Sequence, residues 1–468
     1  MTVRLRTRVF VRHADDESVV VCLRTGGCTV MSGARPFLKA FDYAPHAWDE
    51  IVRRIAAKFG CAAEVVVDDA KAILRELVAQ GFVDCEGSVD GGCAGRATLP
   101  ERSADQTDSG RAGRATLPDD AFPLGAFYAR HELPADLHLD LTDRCNERCV
   151  HCYIPKNGGT FLPTELAVKV LHEFREAEGL TVYVSGGECM MHPDFATILH
   201  EARRLGLNIV VLSNLALCDE ERIALLKEVD PQFVNVSLYS MEASEHDAIT
   251  KLPGSWQKTM NAIRALREAD VPVRLATPIM RVNKNAVDKL LAFAREVRAH
   301  DILDCDIFGR TDHDCTNQSY ALTSQEREEV LRTHRDYFSY LFKPRSDAAC
   351  CPDAKVCDIG EGKICVNAYG DYYPCDGFHG MVLGNAARDS LMSVWHGEKM
   401  EKLRALKNRD FPSCVACANR PWCKVCAMRN FNETGDMFKP AEHFCKVAAI
   451  NREIVDEKQR QMLAHGIR

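Results

Sequence analysis

The sequence predicts an α/β protein built around a partial barrel of six parallel strands, with a smaller domain on either side. Three observations support this fold class. Strand-like and helical segments alternate six times between about residue 135 and residue 310. A run of strands and then helices precedes this region, and a cysteine-rich stretch follows it. A chain of 468 residues exceeds what one core usually organises, so several domains are expected.

The composition is that of an ordinary globular protein, with 46% hydrophobic and 27% charged residues. A net charge of −8 provides no basic footprint for nucleic acid. The sequence has no apolar run of roughly 18 residues and no signal-type start, so we expect a cytoplasmic protein. In that compartment the 22 cysteines are better explained as metal or cluster ligands than as disulfides.

Residues 1–85 show the pattern of a small winged-helix-like domain. Three strand-like segments and then three helical ones are predicted, at residues 8–12, 18–23, 29–31, 36–41, 48–59 and 68–78. The last of these helices is expected to start at an aspartate cap, Asp68 or Asp69. Since the domain has no basic recognition helix, the pattern does not indicate a DNA-binding protein.

Residues 86–122 are predicted to be a flexible linker. They are rich in small and polar residues and contain almost no large apolar ones. The hexapeptide Gly-Arg-Ala-Thr-Leu-Pro occurs at residues 95–100 and again at 113–118. Two copies are too few for a repeat architecture. A linker of this length would let the first domain move relative to the rest of the chain.

Residues 123–340 form the predicted barrel. Its strands are expected at residues 137–141, 180–184, 208–212, 233–238, 273–277 and 303–308, with amphipathic helices between them. In parallel sheets of this kind, sites lie at the carboxyl ends of the strands. The residues that follow each strand are therefore the candidates for chemistry.

Three cysteines follow the first predicted strand: Cys145, Cys149 and Cys152. Three thiolates can hold a cubane iron–sulfur cluster and leave one iron open, since full ligation takes four; half a zinc site is the alternative. With Tyr153 directly after them, these cysteines resemble the signature of radical S-adenosylmethionine (SAM) enzymes. The resemblance implies that the open iron binds SAM, whose reductive cleavage yields a 5′-deoxyadenosyl radical.

Glycine-rich or polar segments follow the next three strands as well. They are Gly186, Gly187 and Glu188, then Ser213 and Asn214, and then Ser237. The first three match the Gly-Gly-Glu motif of the same family, which implies that they bind the methionine ammonium of SAM. The resemblance also implies that the other three contact the ribose. A tight turn and ordinary helix caps are the alternatives.

Residues 341–468 hold the second group of cysteines and resemble the SPASM extension of radical SAM peptide maturases. The resemblance implies two auxiliary 4Fe–4S clusters. The first would be held by Cys351, Cys357, Cys375 and Cys426, and the second by Cys414, Cys417, Cys423 and Cys445. The family usually has three residues before the last cysteine of the Cys414–Cys426 motif, and here there are two. This departure concerns the assignment of Cys426 to the first cluster. Separately, Cys350 or Cys365 could replace Cys351, and a zinc ribbon built from the four cysteines of the Cys414–Cys426 motif is the alternative.

Two further residues near these motifs are candidates for chemistry. Asp376 follows Cys375, and in sulfatase-maturating relatives an aspartate at the matching position deprotonates the substrate. The resemblance therefore implies that Asp376 is a catalytic base. Cys189 adjoins Glu188 and could face the site as a redox group or hydrogen donor, whereas most remaining cysteines are expected to be small buried hydrophobic residues.

Outside the linker, the whole chain resembles a radical SAM/SPASM oxidoreductase that matures ribosomally made peptides. In such pathways a domain like residues 1–85, the RiPP recognition element, binds the leader of the precursor peptide as an added strand. The implied cofactors are SAM and three 4Fe–4S clusters. The implied partners are the precursor peptide and a flavodoxin- or ferredoxin-type electron donor, without nucleic acid or membrane.

The number of electrons removed from the peptide distinguishes between the possible reactions. A new ring bond removes two hydrogens from the peptide, so an electron must leave the substrate, and auxiliary clusters provide an acceptor. This favours an intrapeptide cross-link, first a Cys thioether of the sactipeptide or ranthipeptide type. The alternatives are a cyclophane-type carbon–carbon link and epimerisation. A sulfatase-type formylglycine maturase and a non-catalytic, zinc-stabilised peptide-binding protein are less favoured.

Overall fold

The computed structural model describes residues 2–6, 8–23, 27–41, 44–86, 122–155 and 159–464. Nearly all of the predicted linker, with both copies of the hexapeptide, therefore lies outside the described residues. Within the described ranges, no helix is both long enough and apolar enough to cross a membrane.

The strands of the described ranges are β1 (Thr2–Leu5), β2 (Val9–Ala14), β3 (Glu17–Cys22), β4 (Gly27–Ser32), β5 (His46–Ala47), β6 (Val83–Glu86), β7 (Asp136–Asp140), β8 (Thr181–Ser185), β9 (Asn208–Ser213), β10 (Phe233–Ser237), β11 (Val273–Pro278), β12 (His300–Asp304), β13 (Lys363–Val366), β14 (Asp371–Tyr373) and β15 (Gly384–Asn385).

The α-helices are α1 (Arg35–Leu38), α2 (Trp48–Phe59), α3 (Ala63–Ala79), α4 (Phe122–Arg130), α5 (Thr164–Glu176), α6 (Phe195–Arg204), α7 (Glu220–Val229), α8 (Ala243–Thr250), α9 (Ser255–Glu268), α10 (Val287–Glu296), α11 (Ser324–Thr333), α12 (Asp347–Cys350), α13 (Leu391–Trp395), α14 (Glu398–Arg404), α15 (Pro412–Val415), α16 (Ala427–Thr434) and α17 (Glu442–Ala464).

One nine-stranded sheet organises the molecule, in the order β12-β11-β10-β9-β8-β7-β13-β14-β15. Strands β7 to β12 run parallel to their neighbours, which confirms the predicted six-stranded partial barrel. The last of them was predicted too late, at residues 303–308. The strand that pairs with β11 is His300–Asp304. Leu303, Cys305 and Ile307 are all buried, so apolar character alone did not mark where the strand ends.

The cysteine-rich domain is joined to the barrel edge to edge. Strand β13 runs parallel to β7, with Cys365 opposite His138, and β14 pairs with β13 as an antiparallel hairpin. On β7 the leucines Leu137 and Leu139 pack in the main hydrophobic core. Because side chains alternate along a strand, His138 and Asp140 face the interior of the barrel. The same alternation points Lys363 and Cys365 into that interior.

The first domain contains two small sheets, β2-β3-β4 and β5-β1-β6, and the helices α1 to α3. The structure differs from the prediction for this domain in two elements. Strand β1 was not predicted, although it pairs with β6 along its full length. Helix α3 starts at Ala63 rather than at Asp68 or Asp69. Its first turns bury Val66 beside Ala70 in the domain core, and this packing starts the helix without a side-chain cap.

The first domain packs against the barrel through hydrogen bonds and an ion pair. The Arg12 guanidinium is buried and donates from Nε to the Gly179 carbonyl at 2.7 Å and from a terminal nitrogen to the Gly206 carbonyl at 2.7 Å. Arg8 also forms an ion pair with Asp230. All three barrel positions lie just before strands. The first domain therefore covers the amino ends of the strands, at the opposite end from the loops that carry the candidate chemistry.

Candidate active site

The three-cysteine loop follows β7, at the carboxyl end of the barrel. Cys145, Cys149 and Cys152 belong to no disulfide, and all three are partly buried. Burial raises the pKa of Cys145 to about 12, and the neighbouring thiol of Cys152 acts in the same direction. The Cys145 thiol is therefore protonated in the absence of a ligand. Binding of a cluster would release this proton, as metal binding to cysteine generally does.

The Gly-Gly-Glu segment is bound to this loop through its backbone. The Gly187 amide donates to the Thr142 carbonyl at 2.7 Å, and the Glu188 amide donates to the Arg144 carbonyl at 2.8 Å. A Cβ atom on Gly186 would overlap the Thr142 carbonyl oxygen, and one on Gly187 would overlap that of Arg144. Both glycines are thus required for the close approach of the two backbones.

Glu188 links the ends of two strands. Its side chain is buried, and its carboxylate accepts hydrogen bonds from the Ser213 hydroxyl and the Asn214 amide, both at 2.8 Å. Burial raises the pKa of Glu188, and these donors lower it. The Asn214 side chain in turn donates to Asn146 Oδ1 at 2.9 Å, inside the cysteine loop. The structure therefore brings together the candidates that follow β7, β8 and β9.

One residue of this site was missed in the sequence. Ser237 ends β10, as predicted, and the buried Tyr239 follows two residues later. The Tyr239 hydroxyl lies 3.6 Å from Cys149 Sγ, and the Cys149 thiol also donates to Glu147 Oε2 at 3.2 Å. The position of Tyr239 just beyond a strand end was the available signal.

Cys189 does not face the barrel interior. It lies in the main hydrophobic core and donates from its thiol to the Leu212 carbonyl at 3.3 Å. This surrounding is that of a small apolar side chain.

The candidate base Asp376 is held in an ion pair. Its Oδ2 accepts from Lys363 Nζ at 3.0 Å, and its Oδ1 lies 3.7 Å from His138 Nδ1 and 3.6 Å from Cys365 Sγ. Burial raises the pKa of Asp376, but Lys363 and then His138 outweigh it and bring that pKa to about 2. Asp376 is therefore ionised, and the ion pair with Lys363 opposes its protonation.

Asp140 is the centre of an adjoining buried network that the sequence did not reveal. Its Oδ2 accepts from the Tyr373 hydroxyl at 2.6 Å, and its Oδ1 is 3.1 Å from His138 Nε2. The Tyr153 hydroxyl donates to the Asp376 carbonyl at 3.4 Å. The residue after Cys152 thus contacts the residue after Cys375. The first cysteine loop and the first group of C-terminal cysteines share one polar interior.

The C-terminal cysteines interact electrostatically in two groups. In the first, burial raises the pKa of Cys357 to about 11 and that of Cys375 to about 12, and the Cys426 thiol adds to both. In the second, Cys445 and Cys414 act with burial to raise the pKa of Cys423 to about 11.

Cys417 belongs to the second group. Burial is the largest cause of the raised pKa of Cys414 and of Cys445, and the Cys417 thiol raises both values further. The three candidates for a fourth ligand of the first group lie in different surroundings. Cys351 is exposed, the Cys350 thiol lies 4.0 Å from the Arg420 carbonyl, and Cys365 lies in the barrel interior.

The chemistry of the donors suits iron–sulfur clusters, since thiolates are their usual ligands. Among the residues that the structure describes, however, no three His, Cys, Asp or Glu side chains are gathered around one position that could hold a single metal ion. Buried polar atoms beside the cysteines agree with the donor chemistry. Within the described ranges, Glu147 Oε1 and His151 Nδ1 in the first loop have no hydrogen-bond partner, and neither has Trp422 Nε1 beside Cys423. Buried polar atoms normally have a partner. A bound cluster or cofactor at these places would supply one.

Changing Gly187 to alanine is expected to displace the first cysteine loop, because the new Cβ would overlap the Arg144 carbonyl. Anaerobically reconstituted G187A should lose the iron of one cubane cluster, about four atoms per chain, and keep the rest. G125A is the matched control, since a Cβ at Gly125 meets no neighbour within 4 Å. Full iron content in G187A would contradict the expectation.

Comparison with known proteins identifies two domains. Residues 139–294 match the radical SAM superfamily, and residues 357–426 match the SPASM iron–sulfur cluster-binding domain.

Three curated relatives are identical to this chain at about a quarter of the aligned positions. The AdoMet-dependent heme synthase of Methanosarcina barkeri is 25% identical, over 67% of this chain and 96% of the relative. The subtilosin biosynthesis protein AlbA of Bacillus subtilis is 26% identical, over 64% and 69%. The PqqA peptide cyclase of Granulibacter bethesdensis is 25% identical, over 69% and 92%.

Solved structures share the fold. SuiB of Streptococcus suis bound to the precursor peptide SuiA has a TM-score of 0.61 at 13% identity, over 93% of this chain and 98% of SuiB. The protein anSMEcpe with bound AdoMet has a TM-score of 0.55 at 16% identity, over 72% and 96%.

Proposed function

Because the chain is an enzyme with a radical SAM domain and a SPASM domain, we propose that it modifies a ribosomally made precursor peptide. The observation that carries this proposal is the joining of three parts in one fold. A docked first domain, a barrel with the cysteine loop, and the C-terminal cysteine groups together cover the same architecture as SuiB, whose solved complex contains a precursor peptide. The name of the PqqA peptide cyclase also refers to a peptide substrate, and that of AlbA refers to biosynthesis of the bacteriocin subtilosin.

The proposed cofactor sites follow the cysteine groups. Cys145, Cys149 and Cys152 would hold the cluster that binds SAM, near Tyr153, Gly186, Gly187, Glu188, Ser213, Asn214 and Ser237. Two auxiliary clusters would take Cys351, Cys357, Cys375 and Cys426, and Cys414, Cys417, Cys423 and Cys445. When bound, SAM supplies a 5′-deoxyadenosyl radical that removes a hydrogen atom from the peptide. A flavodoxin- or ferredoxin-type protein would supply the electron for its cleavage.

The chain's own residues prepare the barrel interior for a peptide. Tyr373 and His138 bind Asp140, and Lys363 binds Asp376, so both carboxylates are fixed before a substrate arrives. For Asp376 to act as a base, a substrate group would have to displace Lys363 from it. A peptide amide or thiol that enters beside Cys365 would meet Asp376 in this way.

The first domain is proposed to bind the leader of the precursor at strand β4. Within the described ranges, strand β4 pairs only with β3, and its residues are partly or fully exposed. On the opposite edge of this sheet, the His13 amide of β2 donates to Glu178 of the barrel at 3.1 Å. An extended peptide can add to an open strand edge through backbone hydrogen bonds. The barrel separates β4 from the site, so the modified residue must follow the leader after a spacer.

The modification is proposed to be a cross-link, with a Cys thioether favoured. Making a carbon–sulfur bond from a C–H and an S–H group removes two hydrogens. One leaves as an atom to the deoxyadenosyl radical, and the other leaves as a proton and an electron. The auxiliary clusters proposed at the C-terminal cysteines would accept this electron. Epimerisation is redox-neutral and would not need an acceptor.

Mass spectrometry of the product tests the bond type. Each turnover should lighten the precursor by two hydrogen atoms and remove one thiol that iodoacetamide can alkylate. An unchanged mass with uptake of one deuterium from heavy water would mean epimerisation. Loss of two hydrogens with every thiol still alkylatable would mean a carbon–carbon link.

A further inference from the structure

The barrel interior is closed on one side and accessible on the other. Because side chains alternate along a strand, the residues of β8 to β11 that do not pack in the main hydrophobic core face this interior. On β8, β9 and the start of β10 they are Tyr183, Val210 and Phe233, which are buried and form an apolar cluster of their own. Further along β10 and on β11, Asn235 and Ala276 are only partly buried. A substrate group inside the barrel would therefore lie against β10 and β11.

Arg274 is held on this accessible side by two residues of the neighbouring strand. It is the second residue of β11 and is paired in register with Asn235 of β10. Its Nε donates to Asn235 Oδ1 at 2.8 Å, and its guanidinium carbon lies 3.9 Å from the centre of the Phe233 ring. These two contacts orient the guanidinium plane. Within the described ranges, its two terminal nitrogens have no hydrogen-bond acceptor.

No carboxylate balances the positive charge of Arg274. Burial lowers its pKa to about 10, so it remains charged at neutral pH, and no aspartate or glutamate of the described ranges acts on that pKa. On its other side, Arg274 is paired in register with His300 of β12. The interior-facing Asp304 lies four residues further along β12, about 13 Å by the rise of a strand. A buried charge is normally paired, because leaving it unpaired is costly.

Lys363 provides a comparison within the same interior. Its Nζ lies 5.0 Å from the centre of the Tyr183 ring, at the other end of the apolar cluster, and donates to Asp376 Oδ2 at 3.0 Å. Both cations thus lie over a ring of the same cluster. The described residues supply a carboxylate to Lys363 and none to Arg274.

We propose that Arg274 and Asn235 bind a carboxylate of the precursor peptide inside the barrel, either an acidic side chain or the C-terminal carboxylate. The terminal nitrogens of a guanidinium can donate to both oxygens of one carboxylate. SAM is not expected to supply this group, because Arg274 lies four residues before the end of β11, about 13 Å from the edge that carries the cysteine loop and Glu188. The inference rests on the proposed function and deepens it, since it names a group by which the peptide is oriented.

The test compares kcat/KM for modification of the precursor by the intact parent enzyme and by R274Q. In the peptide, each Asp and Glu after the leader is changed in turn to its amide, and a further peptide carries a C-terminal amide. R274Q should lower kcat/KM about ten- to a hundredfold, because a hydrogen bond between charged groups is lost. One amide peptide should show the same loss with the parent enzyme and no further loss with R274Q. The identity of that peptide distinguishes a side chain from the C-terminus.

R264Q is the matched control, because Arg264 also lies over an aromatic ring, that of Phe293, but on the outer helices α9 and α10. Its kcat/KM should equal that of the parent. Parent-like kcat/KM in R274Q would overturn the proposal. Independent, additive losses for R274Q and every amide peptide would also overturn it, since they would mean that Arg274 has only a structural role.

If R274Q does not retain its iron, R274K takes its place, since lysine keeps the charge but not the fork of donors. One amide peptide should then lose less with R274K than with the parent enzyme, and equal losses for every peptide would overturn the proposal. A parent enzyme that modifies no precursor would overturn the proposed function, and this inference with it. A parent enzyme that modifies the precursor, with R274Q uncoupled from every peptide carboxylate, would overturn this inference alone.

Discussion

Replacing Cys145, Cys149 and Cys152 together by alanine is expected to abolish the formation of 5′-deoxyadenosine from SAM. The three thiols lie on one loop at the carboxyl end of β7, beside Asn146, Glu188 and Asn214, and no other part of the proposed site would hold the open iron. Anaerobically reconstituted protein should contain about twelve iron atoms per chain, and the triple variant about eight. Chromatography of the nucleoside and an iron assay measure both quantities.

The control for this experiment is the matching change in the second C-terminal group. C414A/C417A/C423A should lose iron while keeping the cleavage of SAM in the absence of peptide. If the first triple variant still produced 5′-deoxyadenosine, the assignment of the loop would fail. If it lost all its iron, the C-terminal cysteines would not form independent sites.

Removal of the leader from the precursor is expected to lower kcat/KM for its modification by about a hundredfold. A leader held on the first domain keeps the core segment near the site at an effective concentration in the millimolar range. The comparison needs the intact enzyme with full-length and leaderless peptides. Deleting the first domain is a poorer test, since its sheet covers the apolar residues Leu124 and Phe127 of α4.

The position of the leader can be tested separately. Hydrogen exchange of the intact chain, with and without the leader peptide, should show added protection in β4. The control segment is β6, an edge of the other small sheet. Protection of β6 instead of β4 would mean that the leader does not bind at β4. Equal values of kcat/KM for full-length and leaderless precursors would mean that the first domain does not bind the leader productively.

The parts of the fold that the sequence revealed depend on local patterns. Six alternations of strand and helix predicted the barrel, and five of its six strands lie where they were expected. The spacing of Cys145, Cys149 and Cys152 is likewise a property of one short loop. The glycines before Glu188 were predicted to contact SAM. What the structure shows is that they allow a close approach to the backbone of Thr142 and Arg144. The local pattern failed for the start of α3 and for the end of β12, where burial against distant residues set the boundary.

By itself, the sequence determined the fold class, the cysteine groups and the turns that follow each strand, because adjacent residues carry that information. Only the tertiary structure decided that β13 extends the barrel beside β7, and therefore that Lys363 and Asp376 meet His138. It alone placed Tyr239 against Cys149, and Tyr373 against Asp140. The contacts of Tyr239 with Cys149 and of Tyr373 with Asp140 join residues 90 and 233 positions apart, and no periodicity or spacing along a single chain encodes such pairs.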